Sequence, residues 1–231
     1  ALLQEPRITH AMEDYLKAIY RLGGGGQPVT MQRLAKELAL SGPSVTNMVK
    51  RLHEQGLVHH ARCRDVVLTP AGEKIALRVI RHHRLLELYL AESLGFDWDQ
   101  VHAEAERLEH HVSAELEARL ASALGHPTRD PHGDPIPRAG ADLAPGPTLL
   151  ETPAGAQGTV SRVSDRDPEQ LRYLGSLGIV PGARVTVLEH LPFEGPIRVR
   201  VLTDGDTGAE HHDARGLAEP AEVIIMGKKR P

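Results

Sequence analysis

The 231-residue chain carries 27 Lys+Arg against 31 Asp+Glu, a net charge of −4 at neutral pH, with one cysteine and 14 histidines. That length allows one to three domains, while the lone Cys63 excludes an internal disulfide and a thiolate-rich zinc site, leaving imidazole and carboxylate as the available ligands. No apolar run is long enough to span a membrane, and the opening Ala1-Leu2-Leu3-Gln4-Glu5 is too short and too acidic for a signal peptide, so a cytoplasmic protein is expected.

A first helix is predicted from about Thr9 to Leu22, with Met12, Tyr15, Leu16, Ile19 and Tyr20 on one side, stopping at the glycine run 23–26. Thr30 caps a short helix, Met31 to Leu38, and Ser41-Gly42-Pro43 opens another through about Gln55, with Pro43 in the first turn, where its missing N–H costs nothing. Two such helices joined by a tight turn form a helix-turn-helix. Residues 57–61 and 66–68, joined by Arg62-Cys63-Arg64-Asp65, read as a β-ribbon wing. Residues 1–65 hold nine Lys+Arg against six Asp+Glu, and the remainder 18 against 25. The front of the chain is thus its basic part, as suits a head that binds nucleic acid.

Within that head Lys50, Arg51, Arg62 and Arg64 face only Glu54, and such cations position a protein on phosphates. Ser41, Pro43, Ser44 and Asn47 lie at the start of the recognition helix, where side chains reach base edges in the major groove. Pro43 offers an apolar contact to a thymine methyl, and Asn47 a pair of hydrogen bonds to adenine. The plainer alternative is that Pro43 only starts the helix and Asn47 is solvated.

Two long helices follow, from about Ala71 to Leu94 and from Asp97 to Leu124, the second capped by Asp97. In the second, His102, Glu106, Glu109 and His110 fall within an arc of roughly 80° at about 100° per residue. The apolar Val101, Ala105, Leu108, Val112 and Leu116 occupy the adjoining arc, and His111 points away. In the first, His83 and Glu87 are four apart and share a face with Val79, Leu86 and Leu90. A helix with Glu and His beside its core face is usually just a polar margin. Two such helices, each with ionisable groups on a core-facing stripe, point instead to a shared divalent-metal site. Residues 125–147, rich in Pro, Gly and Asp, read as a partly ordered linker. Beyond Leu149 the short runs 157–163, 184–189, 197–202 and 222–226 are too few for a sandwich and fit a small SH3-like barrel.

Glu13-Asp14-Tyr15-Leu16 with Ile19-Tyr20, Ser41-Gly42-Pro43-Ser44-Val45-Thr46, Gly56-Leu57-Val58, Leu68-Thr69-Pro70-Ala71-Gly72, His83-Arg84-Leu85, Glu109-His110 and Asp130-Pro131-His132-Gly133-Asp134-Pro135-Ile136-Pro137 occur in this order. Over nearly the whole chain they resemble the diphtheria toxin repressor family of metal-dependent transcriptional regulators. The resemblance implies a mainly α fold with small β elements: a winged helix-turn-helix DNA-binding domain over 1–73, a helical dimerisation and metal-binding domain over 74–147, and an SH3-like domain over 148–231. It implies a main metal site from Asp14, Glu106, Glu109 and His110, and a second from His83, Glu87 and His102, completed by Asp167 and Gln170.

It also implies a homodimer that offers two recognition helices to a palindromic operator in double-stranded DNA. Iron-sensing members have methionine and cysteine where this chain has Asp14 and Glu106, and manganese-sensing members have carboxylates, so Mn²⁺ is the expected cofactor and Fe²⁺ the alternative. The short manganese regulators, which lack the barrel, carry a glutamate where Lys17 stands, which argues against a closely spaced two-manganese cluster. No enzymatic activity is expected, because neither a His-Glu-x-x-His helix nor a nucleophile elbow is present. A regulator sensing an organic ligand is the closer rival, with one Trp and two Phe to line a pocket.

Overall fold

The computed structural model describes residues 8–24, 26–60, 65–138, 147–192, 196–202 and 222–225. The described residues fall into two compact units, one drawn from 1–89, 103–128 and 136–144, the other from 90–102, 129–135 and 145–231.

The first unit opens with α1 (His10–Gly23), whose N-cap Thr9 accepts from Met12 N–H and whose end is turned by Gly24 at φ 57°. Next come β1 (Val29–Thr30), α2 (Met31–Glu37) capped by Thr30, and α3 (Gly42–Glu54) capped by Ser41. The wing strands are β2 (Val58–His60) and β3 (Asp65–Leu68). β1, a strand too short to leave a periodic signal, pairs antiparallel with β3 to give the sheet order β1-β3-β2. Met12, Leu16 and Ile19 of α1, Leu34 of α2, and Val45, Val49 and Leu52 of α3 close on Val58 and Val66 of the wing in one apolar core. Helix α4 (Pro70–Leu94) begins flush against the wing: Gly72 N–H donates to Thr69 Oγ1 at 3.1 Å, and a Cβ on Gly72 would lie 2.0 Å from the Leu57 carbonyl oxygen.

The continuous helix expected from Asp97 to Leu124 is not formed. Helix α5 runs only Val101–Leu108, a single 3₁₀ turn covers Glu109–His111, and α6 (Ala114–Ala123) starts afresh behind Ser113, whose side chain accepts from Leu116 N–H at 3.2 Å. Asp97 therefore does not cap α5; its carbonyl accepts from Gln100 N–H in a preceding turn. Val112 adopts an extended backbone, ψ 115°, which breaks the helical hydrogen-bond run and turns Leu108 and Leu116, expected on the buried stripe, to the surface. The expected linker is also corrected over its first part, since Ile136 is buried with Leu85 and Ala121. Residues 139–146 lie outside the described set.

In the second unit, residues 129–135 form a tight loop. Asp130 Oδ1 accepts from the backbone N–H groups of His132 and Asp134, both at 2.9 Å, and Gly133, at φ 88°, packs so closely on Ser161 that a Cβ would meet its carbonyl oxygen at 2.1 Å. Strands β4 (Gln157–Thr159), β5 (Arg184–His190), β6 (Ile197–Leu202) and β7 (Glu222–Ile225) make an antiparallel meander in chain order. Helix α7 (Pro168–Ser176), which the strand-like reading of this half missed, sits between β4 and β5 in sequence and contributes Leu174 beside the core of Ile179, Val185, Ile197, Val199 and Val201.

Candidate metal centre

The breakdown of the long helix at Glu109 builds the site. In the 3₁₀ turn, adjacent residues are about 120° apart, and here both residues reach α1, Glu109 through Lys17 and His110 through Glu13 and Asp14. His110 Nε2 is 2.8 Å from Asp14 Oδ1 and 3.6 Å from Glu109 Oε1. Donors on neighbouring vertices of an octahedron with bonds of about 2.1 Å stand about 3.0 Å apart, so these separations bracket what one octahedral cation requires. Asp14, Glu109 and His110 can each offer one ligand atom, all within 4.8 Å of one another.

The other face of His110 supports the same reading. Its Nδ1 is 2.7 Å from Glu13 Oε2, and Arg78 Nη2 holds the second Glu13 oxygen at 3.0 Å. With Nδ1–H donated to Glu13, Nε2 turns its lone pair toward Asp14, and two acceptors at that distance need a proton or a metal between them. Burial pushes the Asp14 carboxyl above its ordinary value, and the attraction of His110 offsets that only in part. A divalent cation would supply the missing charge, so the donor set fits one, with hard oxygens, one imidazole and no sulfur.

Glu106 of α5 is engaged differently. Lys17 Nζ lies 2.7 Å from Glu106 Oε1 and 2.8 Å from both oxygens of Glu109. Burial raises both carboxyls, but Lys17, joined at Glu109 by the His83 hydrogen bond, outweighs it and draws both below the ordinary carboxylate range.

His83, fully buried on α4, places Nδ1 2.6 Å from Glu109 Oε2 and Nε2 2.9 Å from Glu87 Oε1. Of the second expected set, His83 and Glu87 thus meet in the first unit. In the second unit His102 Nδ1 meets Asp165 Oδ2 at 3.2 Å. The carboxylate beside His102 is Asp165 rather than the expected Asp167, whose Oδ1 caps α7 by accepting from Glu169 and Gln170 N–H. Gln170 itself is exposed.

Sequence reasoning also passed over Glu13, His82 and Glu117. Glu13 was within reach, because a carboxylate between Met12 and Leu16 sits on the apolar stripe of α1 and needs a partner. His82 ties the turn down: Nδ1 lies 3.2 Å from the Glu109 carbonyl oxygen and Nε2 3.0 Å from Glu117 Oε2, which shares its carboxylate with Arg81. Nothing in the pattern distinguished it from a solvated histidine.

At the other end of the unit Ser41, Pro43, Ser44, Asn47, Lys50 and Arg51 are all exposed along the first turns and one flank of α3. Ser41 and Ser44 bond each other through their hydroxyls at 2.8 Å. Arg62 and Arg64 lie outside the described residues.

Residues 7–66 match the family model of the iron dependent repressor N-terminal DNA binding domain, 69–138 that of the iron dependent repressor metal binding and dimerisation domain, and 148–208 that of the FeoA domain. The diphtheria toxin repressor of Corynebacterium efficiens is 37% identical over 194 residues, covering 78% of this chain and 84% of that protein. The chain belongs to the diphtheria toxin repressor family. Within that family of metal-dependent transcriptional repressors, the iron-dependent repressor IdeR of Mycobacterium tuberculosis is 39% identical over 194 residues with the same coverage. Among solved structures of the family, a manganese-dependent transcriptional repressor in complex with manganese superposes with a TM-score of 0.79 at 40% identity, covering 93% of this chain and 94% of that one. ScaR with bound Cd²⁺ gives 0.74 at 30% identity, covering 93% of each.

Proposed function

We propose that this protein is a manganese-responsive repressor, acting in the cytoplasm as a homodimer on a palindromic operator. The observation that carries the metal preference is the donor set: Asp14, Glu109 and His110 converge with Glu106 alongside, three carboxylates and one imidazole. A hard oxygen set suits Mn²⁺, which binds intrinsically weakly and must be selected by ligand type and geometry. For the second expected set, His83 pairs with Glu87 in the first unit, and in the second His102 meets Asp165 where Asp167 and Gln170 were expected. The domains are taken as 1–73 for DNA, 74–147 for dimerisation and metal, and 148–231 for modulation.

In this reading Asp14 belongs to the DNA-reading head, and Glu109 and His110 to the helices that follow. Bringing them to one point fixes the head, and so sets the spacing between the two recognition helices of the dimer. Glu13 holds the His110 ring in register, and His82 holds the turn. On the DNA, Asn47 and Pro43 read base edges, while Lys50 and Arg51, with Arg62 and Arg64, meet phosphates.

Operator binding titrated anaerobically with Mn²⁺, Fe²⁺ and Co²⁺ tests this. Full activation by Mn²⁺ is expected, with loss of Mn²⁺ activation and a relative gain for Co²⁺ and Fe²⁺ in the double variant Asp14→Met, Glu106→Cys. An unchanged ratio of activation midpoints in that variant removes the manganese assignment, and tight operator binding in excess chelator removes the metal switch altogether.

A further inference from the structure

The recognition helix α3 turns its first hydroxyl groups back on itself. Ser41 Oγ accepts the Ser44 N–H at 3.4 Å and bonds the Ser44 hydroxyl at 2.8 Å, and Thr46 donates its hydroxyl to the Gly42 carbonyl at 2.9 Å. The last of these bonds decides what Thr46 can offer a ligand. Thr46 is exposed, whereas Val45 and Val49 beside it are buried. With Oγ1 laid against the backbone of the preceding turn, the group that Thr46 presents outward is its Cγ2 methyl.

Helical spacing places that methyl beside Pro43. The two residues are three apart, so their Cβ atoms stand about 5–6 Å from each other on one side of the helix, and both are exposed, as is Asn47 next to Thr46. A free threonine hydroxyl pairs with either a donor or an acceptor base edge and so discriminates little. A methyl group has one apolar counterpart in the major groove, the C5-methyl of thymine. Base pairs rise about 3.4 Å along the duplex, so Pro43 and Thr46 reach positions one or two steps apart.

We infer that Thr46 is a further specificity-determining residue of this recognition helix, reading the C5-methyl of a thymine through its own methyl group. The inference rests on the DNA-reading role proposed above for α3 and deepens it. Each half-site then carries a thymine set by Thr46 besides the bases set by Pro43 and Asn47. The hydroxyl of Thr46 acts only within the helix, where it fixes the direction of the methyl.

The test uses the full chain with Mn²⁺ and a duplex selected by the wild type from random sequences. Each thymine in that duplex is replaced in turn by deoxyuridine, which keeps the base pair and removes only the C5-methyl. Affinities are measured for the wild type, Thr46→Ser and Thr46→Val, which keep the hydroxyl alone and the methyl alone. At one thymine per half-site the replacement should weaken wild-type binding about fourfold, the effect of one buried methyl group. The same replacement should weaken Thr46→Val equally and leave Thr46→Ser unchanged, because that variant has already lost the contact. Identical deoxyuridine profiles for wild type and Thr46→Ser overturn the inference, and so does a Thr46→Val chain that loses the discrimination while Thr46→Ser keeps it. Should Thr46→Ser fail to fold by circular dichroism, Thr46→Ala takes its place with the same expected profile. Failure of the wild type to select any sequence with Mn²⁺ overturns the proposed function itself, an outcome distinct from a selected operator in which no thymine responds to Thr46.

Discussion

Glu109 joins four elements through one side chain and one carbonyl: α1 through Lys17, α4 through His83 and His82, and α5 and α6 through the turn it begins. His82 can support that turn only because Glu117 holds its other nitrogen. Burial pushes the Glu117 carboxyl up, but the hydrogen bonds from Arg81 and His82 outweigh it, so its pKa in the fold lies below the ordinary value. A carboxylate lowered in this way stabilises the fold above its unfolded pKa, and that contribution is lost as pH falls through the folded value. Glu117→Gln should therefore melt below the wild type at neutral pH in chelator, and the gap should close on acidification to below the ordinary carboxylate range. Equal gaps across that range in thermal denaturation would show that the carboxylate charge is not what holds His82. At this scale the sequence revealed the residues whose types are rare on core-facing stripes: His83, Glu87, Glu109 and His110. It did not reveal Asp14, which lies off the apolar stripe of α1 and was assigned only through the family resemblance. Nor did it reveal that Lys17 would point inward, because a lysine stem is apolar enough to accompany its charge into a core when a carboxylate waits there.

The elements of the head were readable because each carries its own punctuation: Thr9, Thr30 and Ser41 cap the three helices, and Gly24 ends the first. The long helix was misjudged for the opposite reason. Apolar spacing continues through residues 101–124, and period alone cannot register one residue, Val112, leaving the helical region. The missed sign was local: Ser113 followed by Glu115 and Glu117 is a helix start, with a capping side chain and an acidic first turn. Ser113→Ala should cost about 1 kcal/mol in urea unfolding, and it should lower metal affinity as well, because the cap defines where α6 begins and so where the Glu109–His111 turn must end. A variant with the full stability loss and unaltered Mn²⁺ affinity would show that the turn is held by His82 alone.

For the whole molecule, compactness does not follow chain order. Residues 90–102 and 129–135 fall in one unit with the C-terminal part of the chain: Asp99 pairs with Arg172 of α7 at 2.6 Å, Trp98 lies against Gly175, and the Val163 N–H donates to the His132 carbonyl at 2.9 Å. A chain ending at Pro147 should keep metal-dependent operator binding with a higher activation midpoint, and the emission of Trp98, the single tryptophan, should shift to the red as its cover is removed. Complete loss of the metal response would make the C-terminal domain part of the switch. None of this packing could be read in advance, since a Pro- and Gly-rich stretch looks the same whether it is a tether or a loop nested by Asp130 and Gly133.

The glycine at the head of α4 has a mechanical consequence. Because Gly72 seats the first turn of that helix directly on the Leu57 carbonyl, with Thr69 Oγ1 donating to the Gly56 carbonyl at 2.8 Å beside it, there is no slack between wing and helix. From His83 back to Pro70 is about 20 Å of rigid rod, and a tilt of about 6° at the histidine end would carry the wing through about 2 Å. A small adjustment where Glu109 grips His83 would therefore reach the wing as a lever's displacement, and a side chain at position 72 would loosen the coupling at the far end of that lever without touching Glu109 or His83.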